Sequence, residues 1–174
     1  MIVYRHCDRR FPFLWEDPAQ PEARWHRAGE GPVQYLADTP AGAWAEFLRH
    51  EEITEQSDLE GVSRALWAVD VDVTGAECAE LDPAAMTGDA ASYSECQAEA
   101  QRLRARGAAG VRAPSAALLP GGAAGERVDD GLVDGPARDG EVYVLFGARP
   151  DALGWPVVLE GTPPATLLHR VRPL

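Results

Sequence analysis

Residues 32–50 allow few structures. Pro-Val-Gln-Tyr-Leu-Ala (32–37) is a short apolar run with β-branched and aromatic residues, which predicts a buried strand. Asp38-Thr39-Pro40 then predicts a turn, with Thr39 as N-cap and Pro40 at the first helical position, where its missing N–H leaves no bond unmade. A helix to about His50 follows. A strand and a helix joined by so short a turn form one rigid unit, which brings Tyr35 and Glu46 to one end of it. On the helix, Trp44, Phe47 and Leu48 form an apolar stripe at i, i+3 and i+4 spacing. Glu46 points away from the stripe and shares its face with Gly42, Ala43, Arg49 and His50. Glu46 is then either a solvated carboxylate paired with Arg49 or His50, or a carboxylate facing a site.

The rest of the chain reads as an α+β order within one domain spanning 1–174. Ile2 to Arg5 predicts a strand, and 6–31 a loop long enough to be functional or disordered. Arg64 to Val73 predicts a long strand with Leu66-Trp67-Ala68-Val69 at its buried centre. Ser92-Tyr93-Ser94-Glu95 has the pattern of a capping box, opening a helix whose apolar face is Tyr93, Cys96, Ala100 and Leu103 and whose stop is Gly107. Gly110 to Ala113 reads as a short strand, and 120–140, with its Gly-Gly-Ala-Ala-Gly and Asp-rich run, as a flexible loop. Glu141 to Gly147, Pro156 to Glu160 and Thr166 to Val171 read as closing strands. Strands outnumber helices without regular alternation, which predicts a mixed sheet core with a few flanking helices at its edge. The Gly-rich stretch lacks Gly-Lys-Ser/Thr and a following helix, so it is no phosphate loop.

Charge narrows the function. A formal net charge of −12 argues against direct nucleic-acid binding, which needs a basic surface, but leaves room for a small anion in a local arginine pocket. All 16 basic residues are arginine. Cys7, Cys78 and Cys96 are odd in number and lack metal-ligand spacing, so free thiols in a reducing cytoplasm are expected. His26 and His50 lack a third ligand at sensible spacing, so no metal is expected. No signal peptide and no apolar run near membrane-spanning length are present, which argues against a membrane protein.

Three segments resemble the RES domain family, named for its arginine, glutamate and serine. Arg24-Trp25, Pro32-Val33-Gln34-Tyr35-Leu36-Ala37, Thr39-Pro40 and Glu46 match its specific block. Val3-Tyr4-Arg5 resembles its opening strand, and Gly110-Val111-Arg112-Ala113-Pro114-Ser115 the later strand that supplies the serine. Ala23 stands where the family usually has glycine, and His26 where it often has asparagine. The Asn and His-Pro elements common near the end of toxin members are not evident after Ser115.

The resemblance implies an ADP-ribosyltransferase-like fold and NAD as substrate, with no further cofactor. Cleaving the nicotinamide–ribose bond passes through an oxocarbenium-like state, as glycoside hydrolysis does. In that setting Glu46 is the candidate carboxylate beside the ribose, Tyr35 the face for the nicotinamide ring, and Ser115 a hydrogen-bonding partner of ribose or carboxamide. Arg24 is the first choice for a phosphate clamp and Arg5 the second, since arginine grips phosphate through paired N–H donors. Each has a structural alternative: Tyr35 as a core aromatic, Arg24 packed over Trp25, and Ser115 as a turn residue. The function implied is NAD cleavage by water or phosphate, as the toxin of a toxin–antitoxin pair. Its partner would be an antitoxin of helix-turn-helix type, with a homodimer left open. The alternatives are transfer of ADP-ribose to a protein or other acceptor, and a non-catalytic domain that binds nucleotide or partner.

Overall fold

The computed structural model describes residues 1–173. In chain order the strands are β1 (Ile2–Cys7), β2 (Val33–Ala37), β3 (Arg64–Asp70), β4 (Ala76–Cys78), β5 (Gly110–Pro114), β6 (Glu126–Val128), β7 (Leu132–Asp134), β8 (Glu141–Phe146) and β9 (Leu153–Gly161). The helices are α1 (Pro40–His50), α2 (Pro83–Thr87) and α3 (Tyr93–Ala105). Seven strands form a mixed sheet in the order β4-β5-β8-β2-β1-β3-β9, in which only β4 and β5 pair in parallel. β6 and β7 form a separate hairpin. The α+β class is the one expected.

Register decides which side chains share a face. Tyr35 lies opposite Val144, which lies opposite Val111; Ala37, Val142 and Ala113 form the next such row. Strand alternation puts both rows on one face, and the two longer helices, α1 and α3, cover that face rather than the sheet edge that was expected. α1 lays Trp44, Phe47 and Leu48 onto a buried cluster with Ala37 and Leu66. α3 lays Cys96, Ala100 and Leu103 onto Val33, Val111 and Val144. The opposite face carries Val3, Leu36, Val69, Tyr143 and Leu145, and Phe13 and Leu14 of the segment after β1 pack over it. Phe13 stacks on Trp67 with ring centroids 5.0 Å apart.

The strand–turn–helix unit forms as read. The Thr39 side chain accepts the Gly42 amide at 3.1 Å, and Pro40 starts the helix. Elsewhere the structure differs in informative ways. Residues 166–171 fall largely in a 3₁₀ helix (Ala165–Arg170) instead of a strand. Leu168 and Val171, three apart, both pack on the α1 cluster, a spacing that fits one turn of a tight helix better than an alternating strand. The stretch expected to be a flexible loop, 120–140, contains the β6–β7 hairpin and is tied down by an Arg138–Asp38 ion pair at 2.6 Å. β3 ends at Asp70, three residues early, where the Val71 amide turns to the Met1 carbonyl. β9 begins earlier than expected and admits Pro156 because it is the outermost strand. The capping box at Ser92 does not form: its hydroxyl donates to the Asp89 carbonyl, and no side chain caps α3.

Candidate functional site

The site lies where the α1 and α3 halves of the helical face meet. Glu46 projects from α1 toward Ser115, the residue following β5, whose own amide is fixed by the Gly140 carbonyl at 2.8 Å. The Ser115 hydroxyl accepts the Ala117 and Leu118 amides at 3.2 and 3.3 Å and donates to Glu46 Oε1 at 3.0 Å. One hydroxyl thus organises a tight turn and holds the carboxylate. Glu46 therefore pairs with neither Arg49 nor His50, and His50 is exposed. Burial raises the Glu46 carboxyl above its ordinary range, while the Ser115 hydrogen bond and the charges of Arg49 and Arg24 act the other way.

Arg24 and Arg49 approach this carboxylate from two elements and meet at one atom. Arg24 Nη2 and Arg49 Nη2 both donate to the Gly88 carbonyl, at 2.7 and 2.8 Å. Arg24 Nη1 also donates to Ser92 Oγ at 3.0 Å, and its guanidinium lies 4.7 Å from the centroid of the Tyr93 ring. Arg24 is thus stacked on Tyr93, not spread over Trp25. Arg49 further donates to the Ala116 and Thr87 carbonyls. Both arginines are buried, and none of the ion pairs among the described residues involves either. Burial and the neighbouring Arg24 charge make the Arg49 guanidinium less basic than usual.

Tyr35 stands on the same sheet face, one step away. Its hydroxyl accepts the Trp25 amide at 3.0 Å and meets His26 Nδ1 at 2.9 Å. Burial pushes the phenol above its usual range. Tyr35 thereby anchors the segment that carries Arg24, and Gln97 Nε2 of α3 holds the same segment through the Ala23 carbonyl at 3.1 Å. His26, fully buried, has no partner on Nε2 among the described residues.

The structure brings Glu46 and Ser115 into contact and joins Arg24 through the Gly88 carbonyl to Arg49, which shares α1 with Glu46; Tyr35 lies on the same sheet face. It does not bring Arg5 there. Arg5 pairs in register with Trp67, on the far face, and donates to Gln34 Oε1 at 3.2 Å. Strand alternation is the reason: Tyr35 and Gln34 are neighbours in sequence and so face opposite ways. Burial lowers the Arg5 pKa to about 10. No group of three or more His, Cys, Asp and Glu side chains suited to a metal occurs among the described residues.

The sequence model of the RES domain family matches residues 2–167. The chain belongs to the RES domain family. No curated protein sequence matches it. Among solved structures, a chain of the crystallised M. tuberculosis MbcT–MbcA toxin–antitoxin complex superposes with a TM-score of 0.61 at 18% identity. The superposition covers 97% of this RES chain and 86% of that one, which shows a shared fold. No helix of the described residues is long and apolar enough to cross a membrane.

Two arginines near this site were not singled out by sequence. Arg49 follows Glu46 by three positions on α1, a spacing that put it on the same face, yet the surface-pair reading hid its burial. Arg172 lines a cleft with Arg49, and nothing in its Arg-Val-Arg-Pro context marks it.

Proposed function

We propose that this protein cleaves the nicotinamide–ribose bond of NAD, and that it does so as the toxin of a toxin–antitoxin pair. The observation that carries the reading is the half-buried Glu46–Ser115 pair set beside Arg24 and Arg49, guanidinium groups in no ion pair among the described residues. Family membership supports it, as does the fold shared with the toxin–antitoxin complex.

The chemistry asks for a fixed negative charge beside a ribose that becomes cationic, and for positive groups beside a diphosphate. Glu46 supplies the first. Ser115 holds one oxygen of its carboxylate, so the charge is already placed when the bond begins to break, and no reorganisation is needed at that moment. Raised basicity suits a group that stabilises positive charge, since a more basic carboxylate holds its electrons less tightly. Arg24 and Arg49 supply a positive field in a partly dry site, where it is stronger than in water. Tyr35 holds the Arg24 segment through its hydroxyl and offers its ring to the helical side of the sheet. Acceptance of the ribosyl group by water or phosphate gives a small product, and transfer to a macromolecule gives a modified polymer.

The experiment is incubation with NAD labelled in its adenylate half, with a cell extract present. Label in an ADP-ribose-sized product supports cleavage to water or phosphate. Label on protein or nucleic acid would instead make the protein a transferase.

A further inference from the structure

The two edges of the seven-stranded sheet are built differently. β4, at one edge, is three residues long, and its Glu77 pairs with Arg106. β9, at the other, is nine residues long and carries a single charged side chain, Glu160, which pairs with Arg9. Leu153, Trp155, Val157 and Leu159 of that strand are each more than half exposed. Natural sheets guard an outer strand with charge, shortness or cover, because an open edge invites association. In a chain with 28 acidic side chains, a long edge almost free of charge is the exception.

Register shows how the apolar side chains lie. Trp155 stands opposite Ala68, and Ala68 opposite Tyr4, on the helical face; Leu153, Asp70 and Ile2 form the next such row. On the other face Phe13 covers Gly154, where a Cβ would come within 2.7 Å of its ring. The β3–β9 pairing then skips Val157, with Pro156 paired to Trp67 and Val158 to Leu66. This bulge resets the alternation, so Val158 packs on the α1 cluster and Leu159 is left outward. Apolar groups thus flank the edge along its length and on both faces. That arrangement fits a second strand laid beside β9 better than a helix laid on one face. Pro156 has no N–H to give, so side chains carry such a contact more than a continuous hydrogen-bond ladder.

Charge selects the partner and its orientation. Asp70, Asp72 and Asp151 gather around Leu153, faced by the Met1 ammonium on Asp70 and, more weakly, by Arg149. At the other end Arg64 pairs in register with Gly161 and Arg9 reaches Glu160, two guanidinium groups to one carboxylate. A second copy laid antiparallel brings the acidic start of one β9 to the basic end of the other, whereas a parallel copy sets like against like. The four exposed side chains offer on the order of 400 Å² of apolar surface per copy, a size that marks an interaction site on a monomer. Two copies, with Ile2 and the flanking backbone, reach the roughly 1,000 Å² that a specific interface needs.

We infer that two copies of this chain associate through their β9 edges, antiparallel across a two-fold axis near Val157, with Trp155 beside the axis. The assembly closes on itself, because the outer strands left in the joined sheet are the short, ion-paired β4. The inference does not rest on the NAD reading.

The test is sedimentation velocity of the full chain over a range of concentrations. The expected species has twice the 18.7 kDa mass of one chain and dissociates on dilution. Trp155→Glu should weaken association by about 30-fold or more, as expected for losing a central interface aromatic. Leu159→Arg should weaken it as well, and either variant decides if the other does not fold. Orientation is read by disulfide cross-linking with oxidised glutathione in a Cys78→Ser background. Val157→Cys should link two copies, and Leu153→Cys, whose two copies lie about 25 Å apart in an antiparallel pair, should not. A parent that is monomeric at every concentration overturns the proposal and leaves the edge to a different protein. A dimer that survives in both folded β9 variants, or that links through residue 153 and not 157, overturns it as well.

Discussion

Replacing Arg24 by lysine separates a ligand-clamping arginine from one that also holds the fold. The structure gives Arg24 three hydrogen bonds to one surface segment: Gly88 O at 2.7 Å, Ser92 Oγ at 3.0 Å and Ala85 O at 3.4 Å. It adds a stack over Tyr93. A lysine ammonium has the charge but not the planar fork, so it can keep one of the two short bonds and not both. One charge-assisted bond lost is worth about 1.5–3 kcal/mol, and Arg24 is too buried for water to replace it fully. In a chain of this size each kcal/mol moves the melting temperature by about 2–4 °C, so Arg24→Lys should melt roughly 3–12 °C below the parent. Because the segment it ties down also forms the wall of the arginine cleft, NAD affinity should fall in the same variant. Thermal melting and calorimetry on one preparation give both numbers. An unchanged melting temperature would mean that the bonds from Arg24 to residues 85–92 do not hold that segment.

Two further outcomes follow from the buried polar groups. Glu46→Gln keeps an oxygen for the Ser115 hydroxyl but removes a carboxylate that burial makes costly to ionise. Its pKa is raised in the folded state, so the cost is full above the raised value, fades as pH falls from there, and is gone below the ordinary 4.5. The variant should therefore melt above the parent at neutral pH and level with it in acid; a lower melting temperature at neutral pH would contradict the burial argument. Tyr35→Phe strands the buried Trp25 amide and should cost about 1–3 kcal/mol in denaturant unfolding. Unchanged stability would show that Tyr35 does not anchor the Arg24 segment.

What the sequence made legible was local, and what it hid was tertiary. Thr39, Pro40 and the Trp44–Phe47–Leu48 stripe act through neighbours in sequence, so the α1 unit and the outward aim of Glu46 could be read directly. The partner of Glu46 could not, because Ser115 follows a strand reached only after β3, β4, α2 and α3. Arg5 failed for a related reason: its motif gave its identity, but only strand register shows that it faces away from Tyr35. The Ser92 capping pattern was overridden when Asp89 and Arg24 took its hydroxyl. The hairpin at 126–134 is short and exposed, with neither alternation nor length enough to stand out from a polar loop.

In the proposed reaction, Glu46 is the charge that makes NAD cleavage possible. The most direct measurement is nicotinamide released from NAD by purified parent and Glu46→Gln proteins at neutral pH, followed by chromatography, with melting curves to show that both are folded. Steady release is expected from the parent, and a rate lower by on the order of 100-fold in the folded variant, about 3 kcal/mol of barrier. Near-parental release by Glu46→Gln, or no release by the folded parent, would contradict it.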